Sequence, residues 1–313
     1  MGNFFEDYYK FITTQFPPSI CQKIINGFSK KRWTTFRVNT LKKNVEDVLE
    51  NLKTNKIEFK KASFFNNAFY FTSFKEIKAL KLEEVINGNI YLQSFSSMIP
   101  AILMNPKEGE KILDITAAPG SKTSLLAALS NNKAIIYANE KDKIRFERLK
   151  YNMNLLGCEV KLLNEKAEKL YLSFNNFFDK VLVDAPCSGE GRIQTAERKT
   201  YENWSISEVR KNSNLQKRIL ESALLTLVDN GLCVYSTCTL NKAENEDVIE
   251  ELLKKYELQP LEGINLFNNI PDIIISYIKT SKNSIPIYRI LPSEFFEGFT
   301  IAIFKKIKRY KND

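Results

Sequence analysis

The sequence predicts an α/β fold: a mostly parallel sheet with helices on both faces, preceded by a small α+β module. Three observations predict it. From Lys111 onward, short apolar runs alternate with longer amphipathic stretches, the rhythm of strand–helix–strand units. Val181 to Val183 is an apolar run of the kind a strand buried on both faces requires. It stops at an acid, Asp184, and Pro186 then prevents the ladder from continuing. Residues 33–75 follow a different pattern, with short aromatic and β-branched runs around one amphipathic helix.

Residues 4–29 read as two helical segments broken at Pro17 and Pro18, the second ending near Asn26 and Gly27 as a C-cap. Lys30, Lys31 and Arg32 lead into a strand, Trp33 to Asn39. Val45 to Lys53 places Val45, Val48, Leu49 and Leu52 on one helical face. Short strands follow near Ile57 to Phe59 and Ala68 to Phe71. Gly88 to Met98 reads as a turn entering a helix, the hinge between modules. The parallel sheet takes strands Lys111 to Ile115, Ala134 to Ala138, Val160 to Leu163, 181–183 and 231–236. Its helices run from Lys122 to about Leu129, Lys143 to Leu156, near 208–228 and about 243–255. The region 285–306 supplies an antiparallel pair whose last strand, Phe299 to Phe304, ends the sheet. The expected division is an N-terminal helical segment (1–32), a small module (33–90) and a catalytic domain (91–313), with no further C-terminal domain.

Composition narrows the function. The chain has 313 residues, ample for a sizeable core, and no apolar run of the ~18 residues needed to cross a membrane. The acidic, aromatic start is not a signal peptide, and Glu6 stands where a myristoylation site needs Ser or Thr. Five irregularly spaced cysteines, at 21, 158, 187, 233 and 238, fit a reducing cytoplasm rather than a disulfide framework. Without histidine or a C-x-x-C pair, no zinc site is expected, and Ser-His and Cys-His catalysis are excluded. Net charge is +9, and residues 1–100 carry 15 Lys and Arg against 9 Asp and Glu. A smaller basic cluster comprises Lys305, Lys306, Lys308, Arg309 and Lys311. That excess suits a polyanion such as RNA, or a lysine-rich surface kept for solubility. Trp33, Phe36, Phe64, Phe65 and Tyr70 suit base stacking, or the core of the small module.

The chemistry gathers where strands end. Asp184 and Cys187 leave one strand, and Cys238 closes another, Gly231 to Cys238, so the fold should bring two thiols and a carboxylate over one ligand. Thr116 to Ser121 is a loop of small residues before a helix. It lacks the Gly-Lys spacing of a phosphate loop, yet lets a cofactor approach backbone at a helix N-terminus. Glu140, at the next strand end, is placed to accept from a ribose diol, or is simply an acid at a helix start.

Taken together, Arg37-Val38-Asn39, Tyr91-Leu92-Gln93 with Ser96-Ser97-Met98, Ile112-Leu113-Asp114 with Ala117 to Thr123, Asp184 to Gly189, Ser236 to Thr239 with Glu244-Asn245-Glu246, and Gly298-Phe299 resemble the RsmB/NOP-type (Sun) family of RNA cytosine-5 methyltransferases. The resemblance covers about residues 33–306. It implies a class I methyltransferase sheet and S-adenosylmethionine as cofactor. It also implies rRNA or tRNA as partner, met through the small module, and a cytoplasmic monomer. Cys238 would be the nucleophile, Cys187 would assist product release, and Asp184 and Lys122 would contact the base. Ala117, Ala118, Pro119, Gly120, Ser121, Lys122, Glu140, Arg145, Glu165, Asp184 and Pro186 would hold the cofactor. Arg37, Asn39, Gln93, Ser96 and Phe299 would contact substrate.

The chain departs from that pattern at four places. Thr116 and Ser121 stand for a common cysteine and glycine. Lys166 takes the place of an aspartate that reads adenine, leaving Asn164 or Glu165 as its replacement. No histidine lies between Pro292 and Gly298. The rival readings are a non-catalytic RNA-binding or ribosome-assembly factor with the same fold, and an oxidoreductase using another nucleotide cofactor.

Overall fold

A computed structural model describes residues 4–72, 76–261, 264–280 and 282–310. The expectations about residues 1–3 and about Lys311 in the basic tail fall outside them. In chain order the elements are α1 (Phe4–Thr13), α2 (Pro18–Phe28), β1 (Thr35–Val38), α3 (Val45–Thr54), β2 (Phe59–Lys61), β3 (Ala68–Phe71), α4 (Glu76–Ala79), α5 (Glu83–Ile86), β4 (Ile90–Leu92), α6 (Phe95–Met104), β5 (Lys111–Asp114), α7 (Ser121–Leu129), β6 (Ile135–Asn139), α8 (Lys143–Leu156), β7 (Val160–Leu163), β8 (Phe178–Asp184), α9 (Ile206–Thr226), β9 (Leu227–Thr237), α10 (Glu246–Leu253), β10 (Tyr256–Pro260), β11 (Ile273–Lys279), β12 (Ser284–Ile290) and β13 (Phe299–Arg309).

The large sheet runs β11-β12-β13-β9-β8-β5-β6-β7, with β10 also paired to β13. From β9 to β7 every pairing is parallel. The α/β expectation therefore holds. Leu113, Val181, Val183 and Tyr235 point to one face and pack under α9 and α10; Ile112, Leu182 and Val234 point to the other, under α6 and α7. That is the two-sided burial that a short apolar run implies.

Phe299 to Phe304 does not end the sheet. β13 pairs with β9 on one side and β12 on the other, and β11 forms the edge beyond β12. The small module is a four-stranded antiparallel sheet, β2-β3-β1-β4. Residues 90–92, read as turn, are its strand β4, so a boundary at 90/91 falls inside a strand. Phe36 and Phe69 are buried in this module, and Phe64 is buried beneath α6, so the aromatic run is mainly core; Trp33 remains exposed.

Gly27 is not a C-cap. It lies within α2, where an added Cβ would sit 2.0 Å from the Pro292 carbonyl oxygen. Only a glycine lets that helix meet the loop before β13 so closely. Tyr8, Ile12, Cys21, Ile24 and Phe28 of α1 and α2 pack on Ile193, Leu240 and Leu291, beside the loops that leave β8 and β9. The N-terminal helices thus brace the large domain. Among the described residues no helix is long and apolar enough to cross a membrane.

Candidate active site

The parallel strands β5, β6, β8 and β9 all end on one edge, and each ends in polar residues. β8 delivers Asp184, then turns away at Ala185 and Pro186. β9 delivers Ser236 and Thr237, then Cys238. The register pairs Asp184 with Ser236, and Ala185 N–H donates to Ser236 O at 2.9 Å. The two thiols leave their strands side by side as a result. Cys187 Sγ and Cys238 Sγ lie 3.0 Å apart, both half-buried.

Two fully buried carboxylates lock the loops to each other in opposite directions. Glu190, in the loop after Cys187, accepts from the N–H groups of Leu240 and Asn241, at 2.9 and 2.8 Å, in the loop after Cys238. Glu244 reaches the other way. It accepts from Ser188 N–H at 2.9 Å, and also from Ser188 Oγ, Asn241 and Gln216. Each such bond to an ionised acceptor contributes about 1.5–3 kcal/mol. Gly191 completes the closure: its N–H donates to Cys238 O at 3.0 Å, and its carbonyl accepts from Gly298 N–H at 2.8 Å.

The thiols are not equivalent. The thiol of Cys238 is lowered, first by the hydrogen bond it shares with Cys187 and then by the guanidinium of Arg192. The same bond raises Cys187 well above an ordinary thiol, helped by burial and the charge of Cys238 and Glu244. The surroundings thus favour the thiolate on Cys238 and the proton on Cys187. Cys233 is buried inside β9 and pushed up by burial, and Cys158 is pushed up to about 11, also by burial, so neither is poised to react.

Beside the thiols, Asp184 Oδ2 accepts from Lys122 Nζ at 2.7 Å, and Oδ1 accepts from Ser236 Oγ at 2.9 Å. Lys122 Nζ also donates to Ser97 Oγ and sits 5.4 Å over the Phe299 ring. Asp184 keeps a third of its side chain exposed, while Lys122 is buried. The pair thus presents a carboxylate edge to solvent and holds its ammonium beneath it.

Across the strand ends lies the small-residue loop. Gly120 caps α7 with φ +103°, and a Cβ there would come within 2.5 Å of Met153. Ala117 N–H donates to Asn139 O, while the Asn139 amide reaches Ile115 O and Glu165 O. Arg145 donates to Ala118 O at 2.7 Å and pairs with Glu140 Oε2 at 3.3 Å. Glu140 Oε1 accepts from Asp142 N–H. Asn164 turns its amide onto Glu140 O, which fixes this corner, and leaves Glu165 and Lys166 exposed beside it. Asp114 is fully buried; Thr123 donates to Oδ2, and Oδ1 has no partner. Burial pushes its carboxyl up to about 7.

Three of the expected substrate contacts are instead internal. Arg37 is fully buried and donates to Gln93 Oε1 at 2.8 Å and Ser124 Oγ at 2.6 Å, which latches the small module to α7. Asn39 is spent on Gly88 O and Leu156 O, and Ser96 on Glu297 O. All three have no exposed surface. Gln93 is almost buried beside Arg37, and Phe299 is buried in the core beneath Lys122. Sequence reasoning gave no role to Glu190, Arg192, Ser97, Asn139 or Gln216. Among the described residues no cluster of His, Cys, Asp and Glu could hold a metal ion.

Comparison with known proteins gives the family and the fold. A family model described as 16S rRNA methyltransferase RsmB/F matches residues 101–305, and one described as an RsmF/B-like ferredoxin-like domain matches residues 8–78. A tRNA (cytosine(49)-C(5))-methyltransferase of Pyrococcus abyssi is 36% identical over 232 residues, 74% of each chain. Ribosomal RNA small subunit methyltransferase F of Vibrio atlanticus is 34% identical over 282 residues, 87% of this chain but only 57% of that one. The chain spans about half the length of the other small-subunit relatives it matches. A solved methyltransferase homolog from Pyrococcus horikoshii superposes with a TM-score of 0.76 at 30% identity, over 98% of this chain and 95% of the other.

Proposed function

The chain belongs to the RsmB/F family of RNA methyltransferases, and from that premise we propose that it methylates carbon-5 of a cytosine in rRNA or tRNA, using S-adenosylmethionine. The observation that carries the reading is the pair of thiols 3.0 Å apart beside the Asp184–Lys122 pair.

The residues present fit such a cofactor. Glu140 follows the end of β6 and Asp184 ends β8, suited to a ribose diol and a sulfonium charge, and the start of α7 suits a carboxylate. When bound, the cofactor supplies an electrophilic methyl group. Glu140 and the loop 117–121 would hold it, with Arg145 steadying both through Ala118 and Glu140, and Glu165 beside them.

Carbon-5 of cytosine is a poor nucleophile, and the chain's own groups correct that. The thiolate of Cys238 adds to carbon-6, which gives carbon-5 enamine character. Asp184 accepts from the exocyclic amino group, and Lys122 donates toward the ring nitrogen where charge develops. Once Cys238 has become a neutral thioether, its hydrogen bond and charge no longer hold the proton on Cys187, and only burial and the carboxylates of Glu244 and Asp184 still favour the thiol. After carbon-5 has taken the methyl group, Cys187 gives its own proton to solvent and removes the carbon-5 proton; the freed electron pair re-forms the carbon-5–carbon-6 double bond as the Cys238–carbon-6 bond breaks, and Cys238 leaves as thiolate. The base must leave any helix to reach these groups.

The test is methyl transfer from labelled S-adenosylmethionine to total small and ribosomal RNA, with protein–RNA adducts resolved on a denaturing gel. Wild type should label RNA, Cys238→Ala should be inactive, and Cys187→Ala should accumulate an adduct. Wild-type protein that binds RNA without labelling any would favour a non-catalytic assembly role instead.

A further inference from the structure

We propose that Arg192 is the cation that makes Cys238, rather than Cys187, the nucleophilic sulfur. The inference deepens the two-thiol reading above. The chain has no histidine, so no imidazole can draw the proton from either thiol. Some other group must decide which of two sulfurs 3.0 Å apart carries the negative charge.

Two cations stand near the pair. Lys122 is already committed to Asp184 and Ser97. The Arg192 guanidinium has no carboxylate within ion-pair distance among the described residues, and its side chain is exposed. The turn that carries it is held by backbone bonds. Gly189 adopts φ +72°, and a Cβ there would lie 2.8 Å from an Arg192 Nη, so the guanidinium is folded back over the turn that follows Cys187. Arg192 N–H donates to Gly189 O, and the preceding Gly191 N–H donates to Cys238 O, both at 3.0 Å. From behind, Arg32 donates to the carbonyls of Arg192 and Gly191 at 3.0 Å and of Ile193 at 3.2 Å. A rigid turn thus carries an unpaired guanidinium at the mouth of the thiol site.

The surrounding charges leave Arg192 alone in that role. Asp184 and Glu297 face Cys238 and oppose its thiolate, and Arg192 favours it. The effect is mutual, since Cys238 more than any other group raises Arg192. On the other thiol, Glu244 adds to the charges that keep the proton on Cys187. Arg192 also lies in the field of Cys187, but Cys238 is its foremost partner, and it acts on the reaction by setting the ionisation of that thiol.

Alkylation tests this without RNA or cofactor. Full-length protein is treated with iodoacetamide across pH 5–10, and the Cys187 and Cys238 peptides are quantified separately by mass spectrometry, for wild type, Arg192→Gln and Arg192→Lys. Wild-type Cys238 should react with a midpoint below the ordinary ~8.5 of a thiol. Arg192→Gln should raise that midpoint by about one unit, a roughly tenfold loss of thiolate at neutral pH, with unchanged thermal stability. Arg192→Lys should restore most of it. A Cys238 midpoint that stays put in Arg192→Gln, or a lysine that restores nothing, overturns the proposal. Failure of methyl transfer alongside the predicted alkylation shift would count against the reaction and leave this assignment standing.

Discussion

Gly191→Ala should disable the site through the backbone alone. A Cβ at residue 191 would lie 1.8 Å from Gly298 O and 2.5 Å from Gly298 C. Neither neighbour is a flexible side-chain end, so the two loops must part by more than ~1 Å to reach ordinary contact. That movement stretches both hydrogen bonds of residue 191, to Cys238 O and from Gly298 N–H. Each is worth about 1 kcal/mol, and forced overpacking adds about 1–3 kcal/mol, for a total near ~4 kcal/mol. At ~2.1 cal/mol/K per residue, a chain this long loses roughly 1.5 °C per kcal/mol, so Tm should fall by about 6 °C. Because the displaced bond holds Cys238, a 1 Å error there should lower kcat about 100-fold. Scanning calorimetry and single-turnover methyl transfer measure the two effects. Gly109→Ala is the control: its φ of +79° is strained for alanine, but nothing lies within 4 Å of the new Cβ. It should cost only about 1 kcal/mol and leave the rate intact. A Gly191→Ala protein that matches Gly109→Ala in both measurements would refute the reasoning.

Two further outcomes follow. Burial raises Asp114 from 3.8 to about 7, so between those values the folded protein holds a proton that the unfolded chain has lost. Stability from this group is therefore fully present at low pH and declines as pH rises toward about 7, and Asp114→Asn should flatten the urea midpoint between pH 5 and 8. A variant with the wild-type slope would show that Asp114 is not its source. Arg37→Ala removes the buried latch to Gln93 and Ser124 and should cost about 3 kcal/mol. Lys42→Ala, whose exposed ammonium caps the Asn87 and Leu155 carbonyls, should cost under ~1 kcal/mol. Equal urea midpoints for the two would contradict the latch.

The parallel core was legible because burial on both faces leaves a continuous apolar signature, and Val181 to Asp184 carries it together with its abrupt end. The two thiols were legible for the same reason, since each sits where such a run stops. Arg37 and Asn39 misled because a polar residue in an apolar strand reads alike whether it meets a ligand or a buried carbonyl. Only the fold shows that Arg37 reaches Ser124. β4 escaped notice because three residues after a glycine turn show no period. β11 and β12 were needed to see that Phe299 to Phe304 lies inside the sheet rather than at its rim. Glu190 and Arg192 sit in a glycine-rich turn, where local sequence says nothing about which distant loop a side chain will meet. Their partners lie about fifty positions away.

The place of β13 bears on how the molecule assembles. This strand, near residue 300, separates β9 from β12, and the helices before residue 29 rest on Leu240 and Leu291. Synthesis makes those helices well before β12, yet the surface they cover is completed only when the chain has grown past that strand. Those helices must therefore wait, their apolar face uncovered, for a segment made much later. Such long-range closure slows folding and exposes the nascent chain to aggregation. Handling by chaperones during translation is the expected cost of threading β13 through the middle of the sheet.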